Sequence, residues 1–171
     1  MPKDCISYKN SGYFTPIIID YLNEKESLKP LYNRFPKIEN FKDQIDEKAK
    51  NFNVNTNFKR QILVDEINKQ YSKISISEIT LNNIINLQKP TTFTITTGHQ
   101  LNLFTGPLYF LYKIISTINL CKQLKINYPN NDFVPIYWMA TEDHDFDEIN
   151  YFNFKGKKLH WNKNTSGPVG R

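Results

Sequence analysis

Residues 91–112, TTFTITTGHQLNLFTGPLYFLY, decide the fold. The run Thr92, Phe93, Thr94, Ile95, Thr96 is β-branched and aromatic, as a strand requires, and the strand is expected over 93–97. Gly98 stops the run, polar groups follow at His99, Gln100 and Asn102, and Gly106-Pro107 opens a long apolar helix. Proline is tolerated in the first turn of a helix. Strand, glycine turn and helix in this order is how an α/β sheet presents ligand-binding groups.

C-terminal to this stretch the helix is expected to bury Leu108, Leu111, Tyr112, Ile115 and Ile118 and to fade over 122–127. Residues 128–132, YPNND, read as a turn. The next strand, 133–138, is nearly apolar throughout and is expected to be covered on both faces. Pro135 is awkward in a central strand and points to an edge or a bulge. Two strands joined by one helix make a right-handed βαβ unit whose C-terminal strand ends open on one crevice. Residues 151–154 and 158–161 then read as a strand pair turning at Lys155-Gly156-Lys157, and the ending 165–171 is loop-like.

N-terminal to it the chain reads as helical. Ile17, Ile18 and Ile19 fit either a short strand or a helix turn, and Leu31-Tyr32 and Phe35-Pro36 fit packed loops. Ile38, Phe41, Ile45, Ala49 and Phe52 recur at helical spacing, with Asp43, Asp46, Glu47 and Lys50 on a solvated opposite face. A second helix, capped by Asn55 or Thr56, carries Leu63, Ile67 and Tyr71 with Ile62 and Val64 beside them. A third starts near Ser75, which has capping-box spacing to Glu78, carries Ile79, Ile84, Ile85 and Leu87, and ends at Pro90. The expected division is a helical region over 1–90 packing on an α/β core that starts at 91.

Composition narrows the class. A chain of 171 residues with 39% hydrophobic, 23% charged and 14% aromatic residues can bury a sizeable core. Six glycines are few for a turn-rich all-β protein. The net charge of +5 is spread along the chain, whereas nucleic-acid binding calls for a denser basic patch, so no nucleic-acid partner is expected. Cys5 and Cys121 have no metal-type spacing and are too few for a disulfide framework. Residues 1–4 lack a signal-peptide core, and Asn102, Gly106, Pro107 and Lys113 interrupt the apolar run 101–120. No membrane span is therefore expected, and cytoplasm is the expected compartment.

The chemistry concentrates at the two strand ends. His99 and His144 fall there, and five of the 17 acidic residues lie between Glu142 and Glu148. Thr96-Thr97-Gly98-His99 fits the T/H-x-G-H pattern of nucleotidylyltransferases and the similar histidine motif of class I aminoacyl-tRNA synthetases. There glycine lets the backbone approach a phosphate, the helix N-terminus supplies N–H donors, and the imidazole stabilises charge on the transferring group. The bland alternative is a glycine turn whose histidine caps the helix. Glu142-Asp143-His144-Asp145 suits a base, an ammonium site or a hard cation, but shows no recognisable metal spacing, and its bland alternative is a solvated acidic loop. Lys113 reaches a phosphate or carboxylate, or snorkels to water. His160, beside Trp161, is expected to be structural.

The blocks TGHQLNLFTGPLYFLYK (97–113), FVPIYWMATEDHDFDEIN (133–150) and GPVGR (167–171) together resemble the BshC family, taken to be the cysteine ligases of bacillithiol biosynthesis; FPKIENF (35–41) is compatible with it. The resemblance implies a partial Rossmann-like parallel sheet, nucleotidylyltransferase-like in shape, led into by the helical region. It also implies the last step of bacillithiol synthesis, a carbon–nitrogen bond-forming addition of cysteine to malate-linked glucosamine, with those two molecules as partners; the cofactor stays open, with ATP the candidate activator. Some members carry glutamine at the position of His99. Members are considerably longer, with a coiled-coil arm that offers a route to a homodimer. This chain is therefore expected to be an N-terminal portion, inactive alone, with 91–171 the first part of a truncated core. Within it, Glu142, Asp143 and His144 are the catalytic candidates, orienting cysteine's ammonium or deprotonating the amine, which must lose its charge to attack. Gly98, His99, Gln100, Asn102, Thr105, Gly106, Lys113 and Asp145 are the candidates for holding substrate or phosphate, and no metal ligand is assigned. The rival readings are a nucleotidylyltransferase-like enzyme acting on another acid and a non-catalytic remnant or interaction domain.

Overall fold

The computed structural model describes residues 4–52 and 56–170, apart from the side chains of 56–58 and 105. The expected cap at Asn55 or Thr56, the side chain of Thr105 and the terminal Arg171 lie outside that set. The chain forms two compact units, 1–50 and 51–171.

In the first unit, α1 (Tyr8–Ser11) is capped by the Ser7 hydroxyl, which accepts from the Asn10 N–H. The three isoleucines fall in a helix, α2 (Pro16–Leu22), with Pro16 in its first turn. Tyr21, Tyr32 and Phe35 form an aromatic cluster with ring centroids 5.0–6.3 Å apart. Leu31, expected to pack in a loop, ends a short 3₁₀ turn and is exposed. Helix α3 (Phe41–Asn51) buries Ile45, while Phe52 at the far end of the expected stripe is exposed. Glu47, expected on the solvated face, is instead half-buried and accepts from Arg34 at 2.5 Å. That hydrogen bond, with another from Asn33, holds its carboxyl below the usual carboxylate range.

The second unit is a two-stranded parallel sheet with helices on both faces. Helix α4 (Thr56–Tyr71) and helix α5 (Glu78–Asn86) lie on one side. Their core is Val64, Ile84 and Leu87 against Val134, with Ile67, Ile76 and Ile136 around it. The expected stripe of α4 is rotated: Val64 is buried, whereas Leu63, Ile62 and Tyr71 are exposed. Adjacent apolar residues at 62, 63 and 64 leave periodicity ambiguous, and packing on β2 selects Val64. The α5 cap is Ser77, whose hydroxyl accepts from the Thr80 N–H, and not Ser75; Ile79 and Ile85 are exposed.

Strand β1 (Thr92–Gly98) pairs in parallel with β2 (Asp132–Trp138), from Thr92 opposite Asp132 to Gly98 opposite Trp138. The Asp132 N–H donates to Thr91 O at 3.1 Å and the His99 N–H to Trp138 O at 3.2 Å, so even-numbered residues of β2 aim their backbone at β1. Pro135 is odd-numbered, and its missing N–H therefore falls on the other edge and breaks no bond of this pair. By the same alternation the Thr92 and Gly98 carbonyls point away from β2. Arg60 donates to Thr92 O at 3.0 Å and Lys113 to Gly98 O at 2.9 Å.

Helix α6 (Leu108–Asn127) connects the strands and covers the other face, with Phe110 edge-on to Tyr137 at 5.5 Å. Pro107 is its N-cap residue, one position earlier than expected. The face it buries is also not the expected one. Thr117, Cys121 and Leu124 are buried, Leu124 completely, which is worth about 1.5–3 kcal/mol for a leucine. Leu108, Leu111, Tyr112, Ile115 and Ile118 face outward. The helix carries apolar residues on both faces, so hydrophobic periodicity did not distinguish them.

Beyond the sheet, β3 (Tyr151–Phe154) and β4 (Lys157–His160) form an antiparallel hairpin. Lys155 and Gly156 both have left-handed φ, as a tight two-residue hairpin turn requires. Trp161 lies past β4 and packs on Phe146, while His160 stacks on Tyr151 at 5.5 Å.

Candidate functional site

The parallel register brings the two expected clusters to one sheet end, because Gly98 and Trp138 close their strands side by side. Gly98 serves that closeness. A Cβ there would sit 2.9 Å from Trp138 O and 3.0 Å from Trp138 Cβ. Glycine at 98 thus permits close contact with the neighbouring strand.

After Gly98 the chain wraps back under the first turn of α6. The half-buried His99 ring has Nδ1 3.0 Å from Gln100 O and 2.9 Å from Asn102 Nδ2, and Nε2 2.7 Å from the Tyr109 hydroxyl. The Tyr137 hydroxyl donates to His99 O at 2.8 Å. His99 is therefore not a helix cap; it is pinned between the turn and α6. Asn102 also donates to Gln100 O at 2.9 Å, and its Cβ and Cγ occupy the space where a side chain at 106 would go. Gly106 has φ 61° and ψ −158°, a region that essentially only glycine enters.

Gln100 is 2% exposed and its side-chain amide donates to the Glu148 carboxylate at 3.2 Å, while the side-chain amide oxygen has no protein partner. Lys113 sits one turn after Tyr109, its ammonium 5.7 Å from the centre of that ring. Burial, and after it the Glu148 carboxylate, push the Tyr109 phenol above its usual range and keep it neutral.

The acidic loop is organised mainly by its own turns. Ala140, with φ 37°, turns the chain out of β2. Asp143 accepts the N–H groups of His144 and Asp145 at 2.7 and 3.2 Å, and Asp145 caps a short 3₁₀ turn by accepting from the Glu148 N–H. Glu142 accepts from the Trp138 indole at 3.0 Å. His144 is largely exposed, 3.8 Å from Asp143. The terminal loop closes over this segment: Val169 N–H donates to Asp143 O at 2.8 Å, and Gly170 lies where a Cβ would strike Thr141. Among the described residues no group of three or more His, Cys, Asp or Glu is placed to hold a metal, and no helix is long and apolar enough to cross a membrane.

Sequence reasoning thus placed the glycine turn and the acidic loop at one sheet end but left out three residues bonded there: Tyr109, Tyr137 and Glu148. Tyr109 was legible in principle as a polar-tipped residue in the first turn of the helix that the glycine turn feeds. Glu148 touches Gln100 across 48 positions, and no local signal marks that pairing.

The whole chain, residues 1–171, matches the family model described as Bacillithiol biosynthesis BshC, N-terminal Rossmann-like domain. It is 68% identical over its full length to a Flavobacterium psychrophilum protein named "Putative cysteine ligase BshC", and 66% identical to a Flavobacterium johnsoniae protein of the same name. A Bacillus cereus protein, again of that name, is 33% identical over 84% of the chain. The chain spans 32% of the length of each Flavobacterium protein and 26% of the Bacillus one.

Proposed function

We propose that this chain, which belongs to the BshC family of bacillithiol biosynthesis, supplies one wall of the active-site crevice of a ligase that joins cysteine to malate-linked glucosamine. The observation that supports this reading is the abutment of the GHQ turn and the acidic loop at the paired strand ends, where the His99 N–H donates to Trp138 O.

Forming an amide joins an amine nitrogen to an activated carboxyl carbon. The leaving group departs with its bonding electrons, and the amine's proton must pass to a base. Glu142 and Asp143 place two carboxylates beside the crevice, and the exposed His144 stands next to them, so that proton has acceptors at hand. Lys113 spends one N–H on Gly98 O and keeps two for a carboxylate or phosphate oxygen. ATP is the proposed activator, and Lys113 fits a phosphate; bound there, ATP would supply the phosphoryl or adenylyl group that turns a carboxylate oxygen of the acid substrate into a leaving group. Cysteine and malate-linked glucosamine are the proposed small-molecule partners.

The test is Asp143→Asn in the full-length protein. Asparagine keeps the side-chain oxygen that accepts the two loop N–H groups and removes only the charge. Bacillithiol formation is expected to fall about 100-fold or more, as for a lost acid–base group. Unchanged formation removes Asp143 from the mechanism. Pyrophosphate release that does not depend on cysteine would favour a nucleotidylyltransferase reaction on another acid.

A further inference from the structure

We infer that Tyr109 is the residue of the His99–Tyr109 pair that touches substrate, through its hydroxyl on a carboxylate or phosphoryl oxygen, and that His99 is a positioning residue acting through it. The inference rests on the crevice reading above and assigns a role within it.

Both imidazole nitrogens of His99 are already engaged. Nδ1 faces Gln100 O and the Asn102 amide, and Nε2 faces the Tyr109 hydroxyl at 2.7 Å. With the proton on Nδ1, Nε2 accepts the phenol O–H. With the proton on Nε2, the ring donates to the phenol oxygen. Either tautomer leaves His99 with no nitrogen for a ligand. The ring itself is closed in by Tyr109 at 5.3 Å and by the edge of Phe110 at 6.0 Å.

The phenol is different. Tyr109 is 50% exposed, and its oxygen can both donate and accept while keeping its hydrogen bond to His99. When Nε2 donates to that oxygen, the phenol hydrogen turns outward to an acceptor. Lys113 stands one turn along the same helix with its ammonium over the tyrosine ring, so the acceptor that both groups favour is anionic. The phenol stays protonated and can donate because burial and the Glu148 carboxylate both oppose its ionisation. Of the other charged and titratable groups around the pair, Tyr137 and Lys113 are bonded to backbone carbonyls, and Tyr151 adds to the opposition to ionisation of the phenol.

The experiment uses the purified full-length protein and four variants: Tyr109→Phe, His99→Gln, His99→Ala and the double Tyr109→Phe/His99→Ala. Kinetic constants and thermal midpoints are measured for each. Tyr109→Phe is expected to lower kcat/KM about 10- to 100-fold, as for a lost hydrogen bond to a charged group, at an unchanged midpoint. His99→Gln is expected to retain most of the activity, because an amide can still hold the phenol. His99→Ala should fall as far as Tyr109→Phe, and the double variant no further. A rise in KM for malate-linked glucosamine places the phenol on a carboxylate, and a rise in KM for ATP places it on a phosphate. Activity of Tyr109→Phe within about twofold of the parent, or additive losses in the double variant, overturns the inference. Should His99→Ala not fold, the contrast between Tyr109→Phe and His99→Gln carries the same decision. If Asp143→Asn lowers bacillithiol formation while Tyr109→Phe does not, the crevice reading stands and this assignment fails. If neither variant has an effect, both fail.

Discussion

Replacing Gly98 by alanine separates two accounts of the glycine turn. In a phosphate cradle the glycine keeps a ligand's path clear, and an added methyl would weaken binding while leaving the fold alone. The structure gives a different expectation. The new Cβ would lie 2.9 Å from Trp138 O, a distance that real Cβ atoms essentially never show, and 3.0 Å from Trp138 Cβ, and the first of those partners is backbone in a paired strand. Relief requires the ends of β1 and β2 to part by a few tenths of an ångström, which stretches the 3.2 Å bond from the His99 N–H to Trp138 O. Overpacking of this kind costs about 1–3 kcal/mol. For a domain of this size each kilocalorie moves the midpoint by about 2–4 °C, so Gly98→Ala is expected to lower it by roughly 2–12 °C. Thermal unfolding of the full-length protein, with and without ligand, measures this. A midpoint unchanged without ligand, together with weakened ligand binding, would refute the strand-packing account and restore the cradle.

Three further expectations follow from ionisable groups. Burial pushes the Cys121 thiol up to about 11, so at pH 8 it should resist alkylation while the exposed Cys5 reacts; mass mapping after a brief iodoacetamide pulse decides this. The folded state then holds the Cys121 proton more tightly than the unfolded chain, so stability should decline as pH rises from about 9 to about 11, and Cys121→Ala should flatten that decline in urea titrations. Asp132 is held below its ordinary range chiefly by the hydrogen bond from Lys125, with Lys89 adding charge. Its contribution is present above the unfolded carboxyl pKa and is lost as pH falls through the lower folded value. Asp132→Asn should therefore destabilise the protein at pH 7 and narrow its difference from the parent in acid, as read from urea midpoints.

Where local chemistry was distinctive, the sequence was legible. The β-branched and aromatic residues of 92–97 and the apolar run 133–138 became parallel neighbours, and the glycine turn and acidic loop fell at their shared end. Parallel pairing with one connecting helix forces that meeting, so it follows from element order alone. Helix faces were less legible. In α4 and α6 apolar residues occupy more than one face, and a periodicity argument needs contrast between faces to choose. The structure chose Val64 over Leu63, and Thr117, Cys121 and Leu124 over Ile115 and Ile118.

By itself the sequence determined the parallel βαβ unit, the end of the sheet at which polar groups gather and the family to which the blocks at 97–113 and 133–150 point. Only the tertiary structure decided which groups meet there. It seats Tyr109 on His99, Glu148 on Gln100 and Lys113 on Gly98 O, and it turns the oxygens of Asp143 and Asp145 onto loop N–H groups. The physical reason is range. Strand and helix are set by residues a few positions apart, whereas a side chain's partner across tens of positions is fixed by strand register and helix rotation. Those in turn depend on how the whole core packs.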